Sequence, residues 1–200
     1  MKQSPKLPAE KRQAQLIGAA IEVFNRKGYN GATTEDIARE AGVTKGAIYF
    51  HFKSKEDIFM AVVRETAGRQ MQGIVDYLKQ QPDANLFIES IVKYTFEMLN
   101  KEKQVSVEVW EQAHKIKRIQ EYMAKAHEKM VNEIAHYMKK NGGISLKKAK
   151  SLVWIMHAIW DGMLVQKFCY HGQVDHKEMM KQIISMYQLY LNKHKAMHKV

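Results

Sequence analysis

The chain has 200 residues, 46% hydrophobic and 26% charged, a balance that excludes wholesale disorder and collagen-like or mucin-like chains. Its 32 Lys and Arg against 21 Asp and Glu give a net charge of +11, which favours anionic partners such as nucleic acid. A lone Cys169 excludes an internal disulfide and Cys-based zinc folds, and fits a reducing cytoplasmic compartment.

Three prolines and eleven glycines against thirteen methionines and abundant Lys, Glu, Gln and Ala predict an all-α chain. The N-terminus shows no signal-peptide pattern, and residues 1–8 read as a polar tail. The longest apolar run, Leu152 to Val165, contains His157 and Asp161 and is shorter than the roughly 20 residues that span a bilayer. The positive charge is concentrated at the two ends, and the basic stretch 145–200 reads as a solvated face.

The first helix runs from about Ala9 to Lys27, with Leu16, Ile17, Ala20, Ile21 and Phe24 on one stripe, and Gly28 ends it. Thr33 caps the second helix in a capping box with Asp36. Gly42 breaks that helix after two turns, and Thr44 caps a third over Lys45 to His51, which is helix-turn-helix spacing. Ser54, with Asp57 three residues on, opens a connecting helix of about 55–80, closed by Gln81-Pro82-Asp83. Further helices are expected near Ala84–Leu99, Val105–His114, Ile116–Lys140, Leu146–Tyr170 and Asp175–Lys195. Val105, Val107 and Val109 alternate as in a strand, but a lone strand has no ladder partner in a helical chain.

The stretch Thr33 to Lys55 carries the chemistry. A helix starting at Thr44 directs free amides and its positive dipole end outward, where phosphate can be met. Gly46 lets DNA approach the backbone; Ile48 and Phe52 pack inward, leaving Lys45, Gly46, Tyr49 and Phe50 on the other face. Thr33, Thr44 and Ser54 act as caps whether or not DNA is bound.

With Ile37-Ala38, Ala41-Gly42-Val43, Lys45-Gly46, Tyr49, His51-Phe52 and Lys55 at this spacing, the sequence resembles the TetR family of transcriptional regulators over about Ala9 to Lys55. The resemblance implies an N-terminal three-helix helix-turn-helix DNA-binding domain, residues 9–56, and a helical effector-binding and dimerisation domain, residues 57–200. It implies phosphate contacts from Thr33, Thr34 and Lys55, with Thr44, Lys45, Gly46, Tyr49, Phe50 and His51 in or along the major groove. Lys45 is the candidate for a guanine edge. Lys2, Lys6, Lys11 and Arg12 could add nonspecific attraction.

Two late helices repeat apolar residues over several turns, which suits an intrachain core and a dimer face equally. The resemblance favours a homodimer through Ile159, Trp160, Met163, Phe168, Met180, Ile184, Tyr187 and Leu191. Within them, Asp161 reads as a structural pair and Gly162 as a mark of close helix approach. Tyr94, Phe96, Met98, Trp110, Tyr122, Met123, Trp154 and His157 form an aromatic and thioether set that usually makes plain core; the resemblance implies that some line an effector cavity. The implied function is a repressor released from its operator by a small apolar or aromatic effector; the alternative is an architectural DNA-binding dimer that needs none. No nucleophile with its base, phosphate loop or metal constellation has diagnostic spacing, so neither an enzyme nor a cofactor is expected. His194 and His198, four apart, read as a solvated tail rather than a metal site, and His171 and His176 flank a glycine turn without Cys or carboxylate partners at ligand spacing.

Overall fold

In a computed structural model the chain is all helical. The structure describes residues 8–80, 84–101, 104–170 and 172–197, with side chains except those of 78–79, 84–88, 101, 104–106 and 191–197. Lys2, Lys6, the break at Gln81-Pro82-Asp83, His171 and His198 lie outside the described residues, as do the side chains of Val105, Leu191 and His194. Among the described residues there are nine helices and no strand: α1 Ala9–Gly31, α2 Thr34–Glu40, α3 Lys45–His51, α4 Lys55–Lys79, α5 Ala84–Lys101, α6 Gln104–Ala113, α7 Lys117–Gly142, α8 Leu146–Cys169 and α9 His176–Met197. The valine-alternating segment is thus the helix α6.

The chain divides into two compact units, Met1–Gly68 with Lys103–Met123, and Arg69–Glu102 with Ala124–Val200. The first unit is built on a core of Leu16, Phe24, Ile37, Ile48, Ile58 and Phe59, joined by Val109 of α6 and Ile119 of α7. Phe59 meets Phe24 edge-on at 5.1 Å, and Tyr29 packs against both rings. The capping box forms: Asp36 N–H donates to the Thr33 hydroxyl at 3.1 Å, and Thr33 N–H donates to the Asp36 carboxylate at 3.2 Å. Ser54 caps α4, accepting from Asp57 N–H at 3.1 Å.

Gly28 takes the expected left-handed backbone (φ 68°), but the helix resumes for one further turn to Gly31. The reason lies far along the chain. A Cβ on Gly28 would meet the Glu108 carboxylate, whose other oxygen accepts from Tyr29 N–H at 3.1 Å and so caps the new turn.

The second unit is built on Ile91, Val131, Ile134, Ala135, Ala149, Leu152, Val153 and Tyr187. Tyr187, buried, donates to the Leu152 carbonyl at 2.9 Å, and burial pushes its phenol up. Gly73 of α4 is needed for close approach, because the Tyr94 hydroxyl of α5 occupies the place of a Cβ; the Tyr94 ring stacks on Tyr77 at 5.0 Å. No described helix is long and apolar enough to cross a membrane.

Candidate nucleic-acid interface

The short helix α3 has an inward and an outward face. Ile48 is fully buried and Phe52 nearly so, while Tyr49 is 47% and Phe50 82% exposed. The Phe50 ring stands edge-on to His51 at 5.1 Å. Thr44 caps the helix, accepting from Ala47 N–H at 3.3 Å. Gly46 is exposed, and an added Cβ would make only an ordinary 3.8 Å contact with the Thr44 hydroxyl. Folding therefore does not demand glycine at 46. A large aromatic side chain held in water at Phe50, on a helix of seven residues, likewise has no folding rationale.

The structure gives several candidates tasks the sequence did not show. Lys55 donates to the carbonyls of Tyr29 at 2.8 Å, Ala32 at 3.0 Å and Asn30 at 3.5 Å. Its three N–H donors thus close the end of α1, and the expected phosphate contact has no donor left in this conformation. Thr34 is buried, its hydroxyl donating to Glu35 at 3.1 Å and lying 3.4 Å from the Tyr49 hydroxyl; it positions Tyr49 rather than facing solvent. Thr33 is exposed, but its hydroxyl also donates to Asp36 at 2.9 Å.

Lys45 pairs with Glu35 of α2 and lies 5.8 Å from the centre of the Tyr49 ring. The Lys45 hydrogen bond holds the Glu35 carboxyl below, and Lys45 above, their usual ranges. Glu35 was not singled out from the sequence, because a charged residue in a first helical turn reads simply as dipole complement. Asp36 is held down to about 2, chiefly by hydrogen bonds from Lys27 and Thr33. Lys27 and Asp36 line an open cleft of about 380 Å³ with Arg26, Arg39 and Glu40, crossed by ion pairs of 2.7 Å from Arg26 to Glu40 and from Lys27 to Asp36. Its charge does not suit an apolar effector.

Residues 16–62 match the family model described as bacterial regulatory proteins, tetR family. That match covers the helix-turn-helix region, from within α1 into α4. The chain is 32% identical over 99 residues to the HTH-type transcriptional activator FasR of Mycolicibacterium smegmatis, 50% of this chain and 45% of that protein. It is 53% identical over 55 residues to the HTH-type transcriptional repressor BepR of Brucella suis, 28% of this chain and 26% of that protein. The matches thus span less than half the length of these curated relatives. The solved transcriptional regulator FadR from Bacillus subtilis, in complex with stearoyl-CoA, shares the fold: TM-score 0.64 at 22% identity, over 86% of this chain and 96% of that one.

The effector candidates are divided between the two units. Trp110, Tyr122 and Met123 belong to the first, where Tyr122 and Met123 pack against the core and Arg64 lies over the Tyr122 ring at 5.9 Å. Tyr94, Phe96, Met98, Trp154 and His157 belong to the second, where Phe96 and Met98 are half-buried and Trp154 is half exposed. Neither unit gathers the whole set. His157 pairs with Asp161 at 3.0 Å on the same helix and packs edge-on against His127 at 4.4 Å. Asp161 is therefore a structural pair within the chain, as its i,i+4 spacing allows. Among the described residues no group of three or more His, Cys, Asp or Glu could hold a metal ion.

The expected dimer residues fall in different environments. Met163 and Tyr187 are buried within the chain, and Met180 and Ile184 pack against its second core. Ile159, Trp160 and Phe168 are half-buried. Among the described side chains of α8 and α9, the large apolar ones left in solvent are Trp154, Ile155, Val165, Met186 and Leu189. From Leu152 to Val165 α8 is apolar on nearly every side, so periodicity alone could not tell its core face from its outer one. A Cβ added at Gly162 would meet nothing within 4 Å among the described residues.

Proposed function

We propose that the chain is a homodimeric, DNA-binding repressor whose operator affinity is lowered by a small, largely apolar or aromatic effector. One observation carries the DNA half: Phe50 at 82% and Tyr49 at 47% exposure beside Lys45 and Gly46, on a helix whose opposite side is sealed by Ile48. Bases read in the major groove need such a face: a cation for a guanine edge, an apolar ring for a thymine methyl, and a glycine for close approach. Thr44, with the first amides of α3, and His51 add contacts along the rim.

Residues 9–56 form the DNA-binding domain in this reading, and 57–200 the effector-binding and dimerisation domain. The exposed apolar residues of α8 and α9 would pair two chains and supply two half-sites. The reading is one of binding rather than catalysis, acting on cytoplasmic duplex. Regulation is supported by a shared joint: Glu108 of α6 holds the Tyr29 amide while Lys55 of α4 holds the Tyr29, Asn30 and Ala32 carbonyls. An effector that shifts α4 or α6 would pull directly on the segment leading into α2. A coupling of about 1–3 kcal/mol there would weaken operator binding roughly 5- to 150-fold. That the solved relative FadR was captured with stearoyl-CoA supports an apolar effector.

The test selects duplexes from a random pool with the wild-type chain and with Phe50→Ala, then titrates the selected duplex against acyl-CoAs and aromatic compounds. A sequence enriched by the wild type alone and released by one compound class supports the reading. Enrichment that no compound reverses favours the effector-independent architectural dimer. No enrichment overturns both.

A further inference from the structure

The turn between α7 and α8 carries a charge pattern that folding does not explain. Residues 139–150 hold Lys139, Lys140, Lys147, Lys148 and Lys150 and no carboxylate, and along the chain the nearest acids are Glu133 and Asp161. The helix ends adjoin through Gly143, which takes a positive φ of 68°, Ile144, which is buried, and Ser145, which caps α8 by accepting from Lys148 N–H at 3.4 Å. Four of the five lysines are exposed, Lys150 is half-buried, and among the described residues none has an ion-pair partner.

Lys139 and Lys140 stand in the last turn of α7, where cations complement the helix dipole. Lys147 and Lys148 stand at the opposite kind of end: the first turn of α8 holds no acidic residue, cations there oppose the dipole, and Lys150 follows directly after that turn. Lys147 and Lys150 also repel each other at i,i+3. A solubilising face would mix signs. A local rule broken repeatedly without compensation marks a functional surface.

We infer that this turn is a second duplex-DNA contact, in a different compact unit from α3, that neutralises backbone phosphates without reading bases. Counterion release favours a cluster of lysines on a polyanion and is indifferent to sequence. Residues 139–150 contain no aromatic side chain on which unpaired bases could stack, which disfavours single strands. Their apolar members, Ile144 and Leu146, are buried and half-buried, which leaves no exposed wedge for a lipid interface. With two chains per dimer, the surface would let one molecule hold a second duplex segment beside its operator.

The test measures binding to a random-sequence 30-base-pair duplex between 50 and 200 mM KCl. It compares the full chain, Lys45→Ala/Tyr49→Ala/Phe50→Ala, and that variant with Lys147→Gln/Lys148→Gln/Lys150→Gln or with the three lysines changed to Arg. The inference expects residual, steeply salt-dependent binding in the α3 variant. Adding the Gln changes should weaken it at least tenfold at 50 mM and flatten its log–log salt slope by about two to three, at about 0.9 per phosphate. The Arg changes should preserve it, and the Gln changes should leave or raise the thermal midpoint. Equal slopes in the Gln and Arg forms would overturn the inference, as would loss of all duplex binding in the α3 variant, or binding of the lysine cluster to phosphatidylglycerol vesicles but not to duplex. Loss of selection by α3 with this slope intact would strike the operator reading instead.

Discussion

The Lys55 ammonium lies 2.8 Å from the Tyr29 carbonyl oxygen and 4.6 Å from the centre of the Tyr29 ring, so the first residue of α4 closes the open end of α1. Charge-assisted hydrogen bonds of this kind contribute about 1.5–3 kcal/mol each. Lys55→Met should therefore lower the thermal midpoint by several degrees, at about 2–4 °C per kcal/mol for a chain of this size. Differential scanning calorimetry checks it. A midpoint unchanged within a degree would return Lys55 to a purely phosphate-binding task.

Gly28 and Glu108 form the other half of that joint. Gly28→Ala places a Cβ against the Glu108 carboxylate in a left-handed backbone conformation, which should cost about 2 kcal/mol or more. Glu108→Ala leaves the Tyr29 amide without its acceptor, at about 1–3 kcal/mol. Because both residues act on one contact, the double variant should lose less than the sum of the singles in a denaturant double-mutant cycle. Strict additivity would show that the contact is unimportant.

On α3 the expectations run the other way. Gly46→Ala has room for its methyl group and gains helix propensity, so the thermal midpoint should hold or rise slightly while duplex affinity falls at least tenfold. Phe50→Ala should likewise leave the midpoint within about a degree. Paired melting curves and fluorescence anisotropy decide the point; affinity retained by both variants would remove this face from DNA recognition.

His127 gives a pH signature. Burial, helped by neighbouring His157 and opposed by Asp161, holds its pKa down to about 4. The folded ring stays neutral down to that pH, whereas the unfolded chain takes a proton near about 6.5. Between these values the unfolded state binds more protons, so stability is full above about 6.5 and declines as the pH falls toward 4. Melting temperatures from pH 8 to 4.5 should fall more steeply for the wild type than for His127→Gln; parallel curves would contradict the burial.

The helices and caps were legible because their signals are local. The Thr33–Asp36 capping box, the Thr44 and Ser54 caps and the turn at Gly42 depend on residues three or four apart, and each formed as the sequence reads. The same holds for the two faces of α3, where Ile48 and Phe52 turn inward and Tyr49 and Phe50 outward.

What only the tertiary structure decided involves residues distant in sequence or helices without a polar side. Glu108 meets Tyr29 across 79 positions, and Lys55 reaches Tyr29 across 26, so no periodicity could assign either side chain to the joint. Between Leu152 and Val165 of α8 an almost uniformly apolar surface satisfies a core from any rotation about the helix axis. Only the burial of Leu152 and Val153 in the second core, with Tyr187 of α9 bonded to the Leu152 carbonyl, fixed which side was buried and left Ile155 and Val165 outside.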